Sequence, residues 1–319
     1  MCYHNTSQQN KGNNMTREKL SGNDLIKKIT AVFVDAMKND PENWTKPWQG
    51  VSSLPHNPSS KTVYSGINSF WLMMHMQDGD SRFSTYKGWE KLGAQVRKGE
   101  SGIPVVYYSN SYVHKTTGKW VSGNKVPSPV EDYEKRFVAR VYSVFHANQV
   151  DDAPAFEQPI VSPDIDVQAH REWFQSTNIE WAEKPCDRAY YRLSDDKVVT
   201  PLAEQFLGEQ EWFGTVAHEF CHATMHQSRL NRPAGNKVDD LRGYAEEELV
   251  AELGATFLAI QRGVESTPRQ DHISYIQSWL TALDNDPKFI QKASTKAWKA
   301  SQWIMENAKE EVSNAQLVA

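Results

Sequence analysis

The chain has 319 residues, enough for two domains at roughly 100–200 residues each. Hydrophobic residues make up 39% and aromatic residues 11%, which excludes an intrinsically disordered chain. The formal net charge of −5 is unevenly spread: residues 1–155 carry 19 Lys+Arg against 14 Asp+Glu, and residues 156–319 carry 16 against 26. A basic front half suits a polyanionic partner such as nucleic acid. No apolar run approaches the roughly 18 residues of a membrane helix, so no membrane partner is expected. The start of the chain lacks the pattern of a secretory signal, which predicts a cytoplasmic protein. Cys2, Cys186 and Cys221 form no CxxC and read as reduced thiols.

Residues 1–20 are polar and read as a flexible tail. Leu25, Ile29, Val32 and Phe33 fall at helical spacing, with Ser21 or Asn23 as cap, and Asp40-Pro41 ends that helix near Asn39. Residues 41–62 form a Pro-, Asn- and Ser-rich loop holding Trp44 and Trp48. Short helices follow from about Asn68 to Gln77 and from Tyr86 to Leu92. β-Branched and aromatic runs predict strands at Ile103–Tyr108 and Phe137–Phe145, around a loop at 115–130. Residues 151–168 are rich in Pro and Asp and read as a linker between domains at 21–150 and 169–319. Beyond it come a helix at 168–178 and strands at Tyr190–Leu193 and Lys197–Val199. Helices are then predicted at Glu209–His226, Gly243–Arg262 and His272–Leu283, with a last one rich in Lys and Trp. Both domains are therefore α+β, the second mostly helical with a small sheet.

The strongest chemical signal is His218-Glu219-Phe220-Cys221-His222, an HExxH. Two histidines four apart lie on one helix face and can share one Zn²⁺, or another divalent ion such as Mn²⁺. Glu219 is offset by roughly 100° and can act as general base on a metal-bound water. A catalytic site needs a third protein ligand. The predicted helix Gly243–Arg262 offers Glu246, Glu247, Glu248 and Glu252. Glu248 and Glu252 flank its apolar stripe, so one can bind metal while the other accepts a hydrogen bond from a ligand histidine. Glu246 and Glu247 are expected to face solvent. His226 lies a further turn along and is too distant to ligate from a straight helix. Tyr244, Tyr190 and Tyr191 are candidates to stabilise an oxyanion. The pattern is similar to that of gluzincin peptidases. That similarity implies Glu248 as third ligand and Glu252 as partner of a ligand histidine.

In the front half aromatic and basic residues interleave. Lys46, Trp48, Tyr86, Lys87, Arg97 and Lys98 are the candidates for single-stranded DNA, which is held by cations and stacking aromatic faces.

Further blocks run the length of the chain. The front half carries PW at 47–48, YSGIN at 64–68, a Ser-Thr-Tyr at 84–86, GAQVRKGESG at 93–102 and VFHANQV at 144–150. The rear half carries AYY at 189–191, TVAHEFCHATMHQSRLNR at 215–232 and YAEEELVAELGA at 244–255. Together they resemble the ArdC family of plasmid antirestriction proteins. The resemblance implies an N-terminal domain that binds single-stranded DNA and a C-terminal zincin-like metallopeptidase domain. It further implies that incoming conjugative plasmid DNA is shielded from host restriction. The alternative is a zinc endopeptidase whose front domain recognises a protein substrate, such as a restriction-system subunit. A third reading makes the metal a structural staple only.

Overall fold

A computed structural model of the chain describes residues 20–39, 51–122, 126–159, 165–233, 240–265, 279–281, 286 and 288–309. The first helix, α1 (Gly22–Asn39), is capped by Ser21, whose hydroxyl accepts from the Asp24 amide at 3.2 Å. Leu25, Ile29, Phe33 and Met37 bury one stripe of it. A small hairpin, β1 (His56–Asn57) with β2 (Thr62–Val63), leads to α2 (Ile67–Met73). Then follow β3 (Phe83–Ser84) and α3 (Tyr86–Lys91), capped by the Thr85 hydroxyl on the Gly88 amide at 3.1 Å. Next come β4 (Gln95–Val96), β5 (Ile103–His114), β6 (Trp120–Ser122), β7 (Tyr133–His146) and β8 (Val150–Asp151).

The main front sheet has four antiparallel strands in the order β3-β7-β5-β6. Its two long strands pair without interruption from Ile103↔Val144 to His114↔Tyr133, well beyond the predicted segments. On its outer edge β5 meets β6 only at Ser111–Val113. Near its start the side chain of Asn68 takes the place of a strand there. Its amide donates to the Val106 carbonyl (2.6 Å) and its oxygen accepts from the Val106 amide (2.9 Å). The Trp71 indole donates to the Pro104 carbonyl at 3.1 Å.

The rear half opens with α4 (Val167–Gln175) and a three-stranded sheet in the order β10-β11-β9. Its strands are β9 (Glu180–Glu183), β10 (Tyr190–Arg192) and β11 (Lys197–Thr200). The unpredicted β9 runs parallel to β11. Among the described residues it then has three long helices: α5 (Glu209–Ala223), α6 (Leu241–Gln261) and α7 (Phe289–Asn307). The first of these stops at Ala223, short of the predicted His226. There the chain turns, with the Leu230 amide on the Thr224 carbonyl and the Arg232 amide on the Met225 carbonyl. Most of the predicted helix His272–Leu283 lies outside the described residues, although Trp279 and Leu280 are buried.

The two halves share a core. Leu25, Ile29, Phe33 and Phe70 from the front pack in one apolar cluster with Leu249, Leu253 and Phe257 of α6 and Phe289 and Ala293 of α7. The segment read as a linker is anchored at both ends. Its start is β8, which pairs with β4. Arg82 donates to the Pro154 carbonyl at 2.6 Å and stacks 4.9 Å from the Phe156 ring. Ile165 is buried in the rear core, and its amide donates to Glu209 at 3.1 Å.

Candidate metal centre

The helices α5 and α6 pack side by side, and between them three donor side chains converge. His218, His222 and Glu248 can each offer one atom such that all lie within 4.8 Å of one another. The two Nε2 atoms are 3.1 Å apart. His218 Nε2 lies 3.6 Å from Glu248 Oε2, and His222 Nε2 lies 3.8 Å from Glu248 Oε1. Ligands about 2.0–2.1 Å from a tetrahedral Zn²⁺ are about 3.3 Å from one another, so the donor set fits such an ion. Two imidazoles and one carboxylate also suit Mn²⁺ and related divalent ions.

Each imidazole turns its other nitrogen to a carboxylate of α6. His218 Nδ1 is 3.7 Å from Glu252 Oε2, and His222 Nδ1 is 3.3 Å from Glu247 Oε1. Such partners orient a ligating ring and select which nitrogen faces the metal. Glu247 was expected to face solvent; it is buried. The Arg232 guanidinium grips it through Nη2 at 2.6 Å and Nε at 3.1 Å, and also donates to Thr224 Oγ1 and the Cys221 carbonyl. Glu246 is not free in solvent either, since Lys296 of α7 donates to it. The reason is that α6 lies between α5, α7 and the front helices, so it has almost no solvent face.

The charges reinforce this arrangement. Burial opposes ionisation of Glu248. Hydrogen bonding to His218, the two imidazole charges and the Tyr244 hydroxyl outweigh it, and the carboxyl is lowered to about 2. Burial likewise opposes ionisation of Glu247, yet His222 and Arg232 hold it below the usual carboxylate range. Burial pushes the His222 imidazole down, but its bond to Glu247 and the charges of Glu248 and Glu219 raise it above its ordinary value.

Glu219 is buried on α5 between the two histidines in sequence, and its charge is felt at His222. Tyr244 sits one turn before Glu248 and bonds to its carboxylate. Tyr191 instead donates to Asp196 at 2.9 Å, and Tyr190 accepts from Arg192 at 3.0 Å. His226 bonds Ser228 Oγ at 2.8 Å and faces Asp196 at 3.4 Å, apart from the donor set. Cys221 is fully buried, and burial pushes its thiol far up, so it is an inert packing residue.

Residues 168–296 match the family model described as a zincin-like metallopeptidase, and residues 23–145 match the N-terminal domain of the anti-restriction factor ArdC. A crystal structure of the antirestriction protein ArdC from plasmid R388, free of metal, superposes with a TM-score of 0.71 at 30% identity. It covers 89% of this chain and 97% of that one. The chain belongs to the ArdC family of antirestriction proteins. A Mn(II)-bound crystal structure of R388 ArdC matches with a TM-score of 0.70 at 28% identity, over 92% of this chain and 100% of that one. A DNA primase TraC of Escherichia coli is 33% identical over 86% of this chain, and a second TraC is 31% identical over 87%. The chain spans only 26% and 19% of those two proteins. An uncharacterised protein of Sinorhizobium fredii, y4eC, is 29% identical over 88% of this chain and 91% of its own length.

The sequence-predicted DNA contacts are more scattered than the donor set of this ArdC relative. Lys46 and Trp48 lie outside the described residues. Tyr86 and Lys87 are exposed at the start of α3, with the Tyr86 hydroxyl accepting from Gln95 at 2.7 Å. Lys98 is exposed. Arg97 is engaged by Glu100 at 3.2 Å, Asp151 at 3.5 Å and the Asn148 carbonyl. Sequence reasoning missed Glu247 and Arg232. A signal existed, because Arg232 closes the HExxH block and Glu247 directly precedes the third donor.

Proposed function

We propose that this protein binds single-stranded DNA through its front domain and shields incoming plasmid DNA from host restriction, while its rear domain carries a metal-dependent peptidase site. Family membership supports the antirestriction role. The observation that carries the peptidase part is the convergence of His218, His222 and Glu248 on two adjacent helices. Zn²⁺ is the proposed ion, with Mn²⁺ the alternative that the Mn(II)-bound relative makes attractive. A divalent ion held there would acidify a water and polarise a substrate carbonyl. Glu219 would accept the proton of the attacking water and return it to the leaving amine. Tyr244 would donate toward a developing oxyanion, and its bond to Glu248 supports that role by keeping it beside the donor set.

Binding of labelled oligonucleotides to the full chain, read by fluorescence anisotropy at several salt concentrations, tests the first part. The full chain is required because α1 and α2 share their core with α6 and α7. Tighter binding of single strands than of duplex, weakening steeply with salt, is expected. Equal affinity for both forms would reject it. The intact HExxH set favours a second reading, a zinc endopeptidase with a protein substrate. Glu219→Gln separates the two in a plasmid-transfer assay into a restricting recipient. Protection that survives the variant, with metal still bound, assigns the role to DNA binding alone. Protection lost with DNA binding intact assigns it to peptidase chemistry.

A further inference from the structure

The front sheet has one face turned inward. Val106, Val141 and Ala139 of that face pack on α1, so closely that a Cβ on Gly22 would lie 2.6 Å from the Ala139 Cβ. Residues paired across antiparallel strands share a face. The register Val105↔Tyr142, Tyr107↔Arg140, Ser111↔Arg136, Val113↔Glu134 and Val113↔Trp120 therefore gathers three aromatic side chains, two arginines and one glutamate on the opposite face. That face is open: Tyr107 is 50% exposed, Tyr142 44% and Trp120 58%.

The chemistry of this face is specific. Tyr107 and Tyr142 stand edge to face, with ring centroids 6.0 Å apart at 78°, which leaves ring surface available for stacking. Arg140 is exposed beside Tyr107 and pairs with no carboxylate among the described residues. Arg136, further along β7, is held by Glu134 at 2.7 Å. Ser109 and Ser111 keep the floor between the large side chains low. At the β3 end the face opens into a groove of about 590 Å³, lined by Tyr107, Tyr142, Tyr64, Asn68 and Thr85. Among the described residues, no charged side chain lines that groove. From Tyr107 to Val113 the strand covers about 20 Å, enough for several nucleotides.

We propose that this face, from the Tyr107–Tyr142 groove across Arg140 toward Trp120, is the path of single-stranded DNA. The proposal rests on the DNA-binding reading above and adds which residues hold the strand. Exposed rings on a sheet face stack unpaired bases, and an arginine with no carboxylate partner among the described residues meets the phosphates beside them. Bases within a duplex are already stacked on one another, so the same surface discriminates against double strands.

The full chain, with labelled oligo(dT), is titrated alongside the double variant Tyr107→Leu/Tyr142→Leu and the single variant Arg140→Gln. The double tyrosine replacement is expected to weaken binding about fivefold or more, and the Arg140 change to flatten the slope of log affinity against log salt by about 0.7. Tyr108→Leu, an exposed tyrosine on the other face of the same strand, should bind like the parent. Ultraviolet crosslinking of the unmodified chain to iodouracil-containing single strands, followed by peptide mapping, is expected to label Tyr107, Tyr142 or Trp120. This readout stands even if a variant misfolds. If the parent binds single strands while the folded variants match it and crosslinks map elsewhere, the path is overturned and the DNA-binding reading survives. If the parent binds no single-stranded DNA, the reading itself fails and the path with it.

Discussion

At the scale of single residues, Glu247 is a relay between an arginine and an imidazole. It touches His222 Nδ1 on one side and the buried Arg232 guanidinium on the other. Glu247→Gln keeps the volume but loses the charge that orients the ring. Metal affinity should fall about 10–100-fold, measured by calorimetry with Mn²⁺ or Zn²⁺. Glu247→Ala should instead destabilise the protein by about 3–5 kcal/mol, because Arg232 is left buried without its partner. Unchanged affinity in the first variant would remove the positioning role. The pH dependence follows from the same contact. His222 is raised above its ordinary value, so in the metal-free protein a proton competes with metal already above about pH 6.5. Apparent affinity should therefore rise with pH through that range, and Glu247→Gln should move the rise to lower pH. An unshifted profile would sink this link. Glu247 and Glu248 are both depressed, so their stabilisation is present above the ordinary carboxylate range and is lost only as pH falls through their lowered values. The HExxH spacing was legible because one helical turn dictates it. Glu247 was misread because solvent was assigned to a side of α6 that other helices cover.

At the scale of elements, the site depends on how closely α5 and α6 approach. Gly254 lies against Cys221 of α5, and a Cβ there would sit 2.6 Å from its sulfur. Replacing a mid-helix glycine by alanine ordinarily stabilises by roughly 0.5–1 kcal/mol. Here the clash should reverse the sign and push the carboxylates of α6 away from the imidazoles. Gly254→Ala is expected to lower both the melting temperature and metal affinity, and Cys221→Ala in the same chain should restore much of each. Thermal melts of the single and double variants check this, and additive effects would reject the contact. Element boundaries show where pattern reading stops. The helical stripe of α1 and the cap at Ser21 were readable locally. The long pairing of β5 with β7 was not, because their exposed face carries Ser, Arg and Tyr and breaks the apolar run. Likewise β9 reads GluTrpAlaGlu and becomes a strand only through its parallel partner β11.

At the scale of the whole molecule, α6 serves two purposes. It carries the third metal donor, and its Leu249, Leu253 and Phe257 belong to the cluster that holds α1 and α2. A composition break at 151–168 suggested separable units, yet helices far apart in sequence close one core across it. Metal binding should therefore stabilise the front sheet as well as the rear domain. An ion at 100 times its dissociation constant adds about 2.7 kcal/mol, or roughly hundredfold slower exchange for amides that open only with the whole protein. Hydrogen exchange of the full chain with and without metal should show that slowing in β5 and β7 together with α6. A His218→Ala/His222→Ala variant should lose it in both places, and a chelator should reverse it in the parent. Slowing confined to residues 165–265 would mean that the shared core does not couple the halves. Slowing in both would make the occupancy of the rear site a determinant of how firmly the front sheet is held.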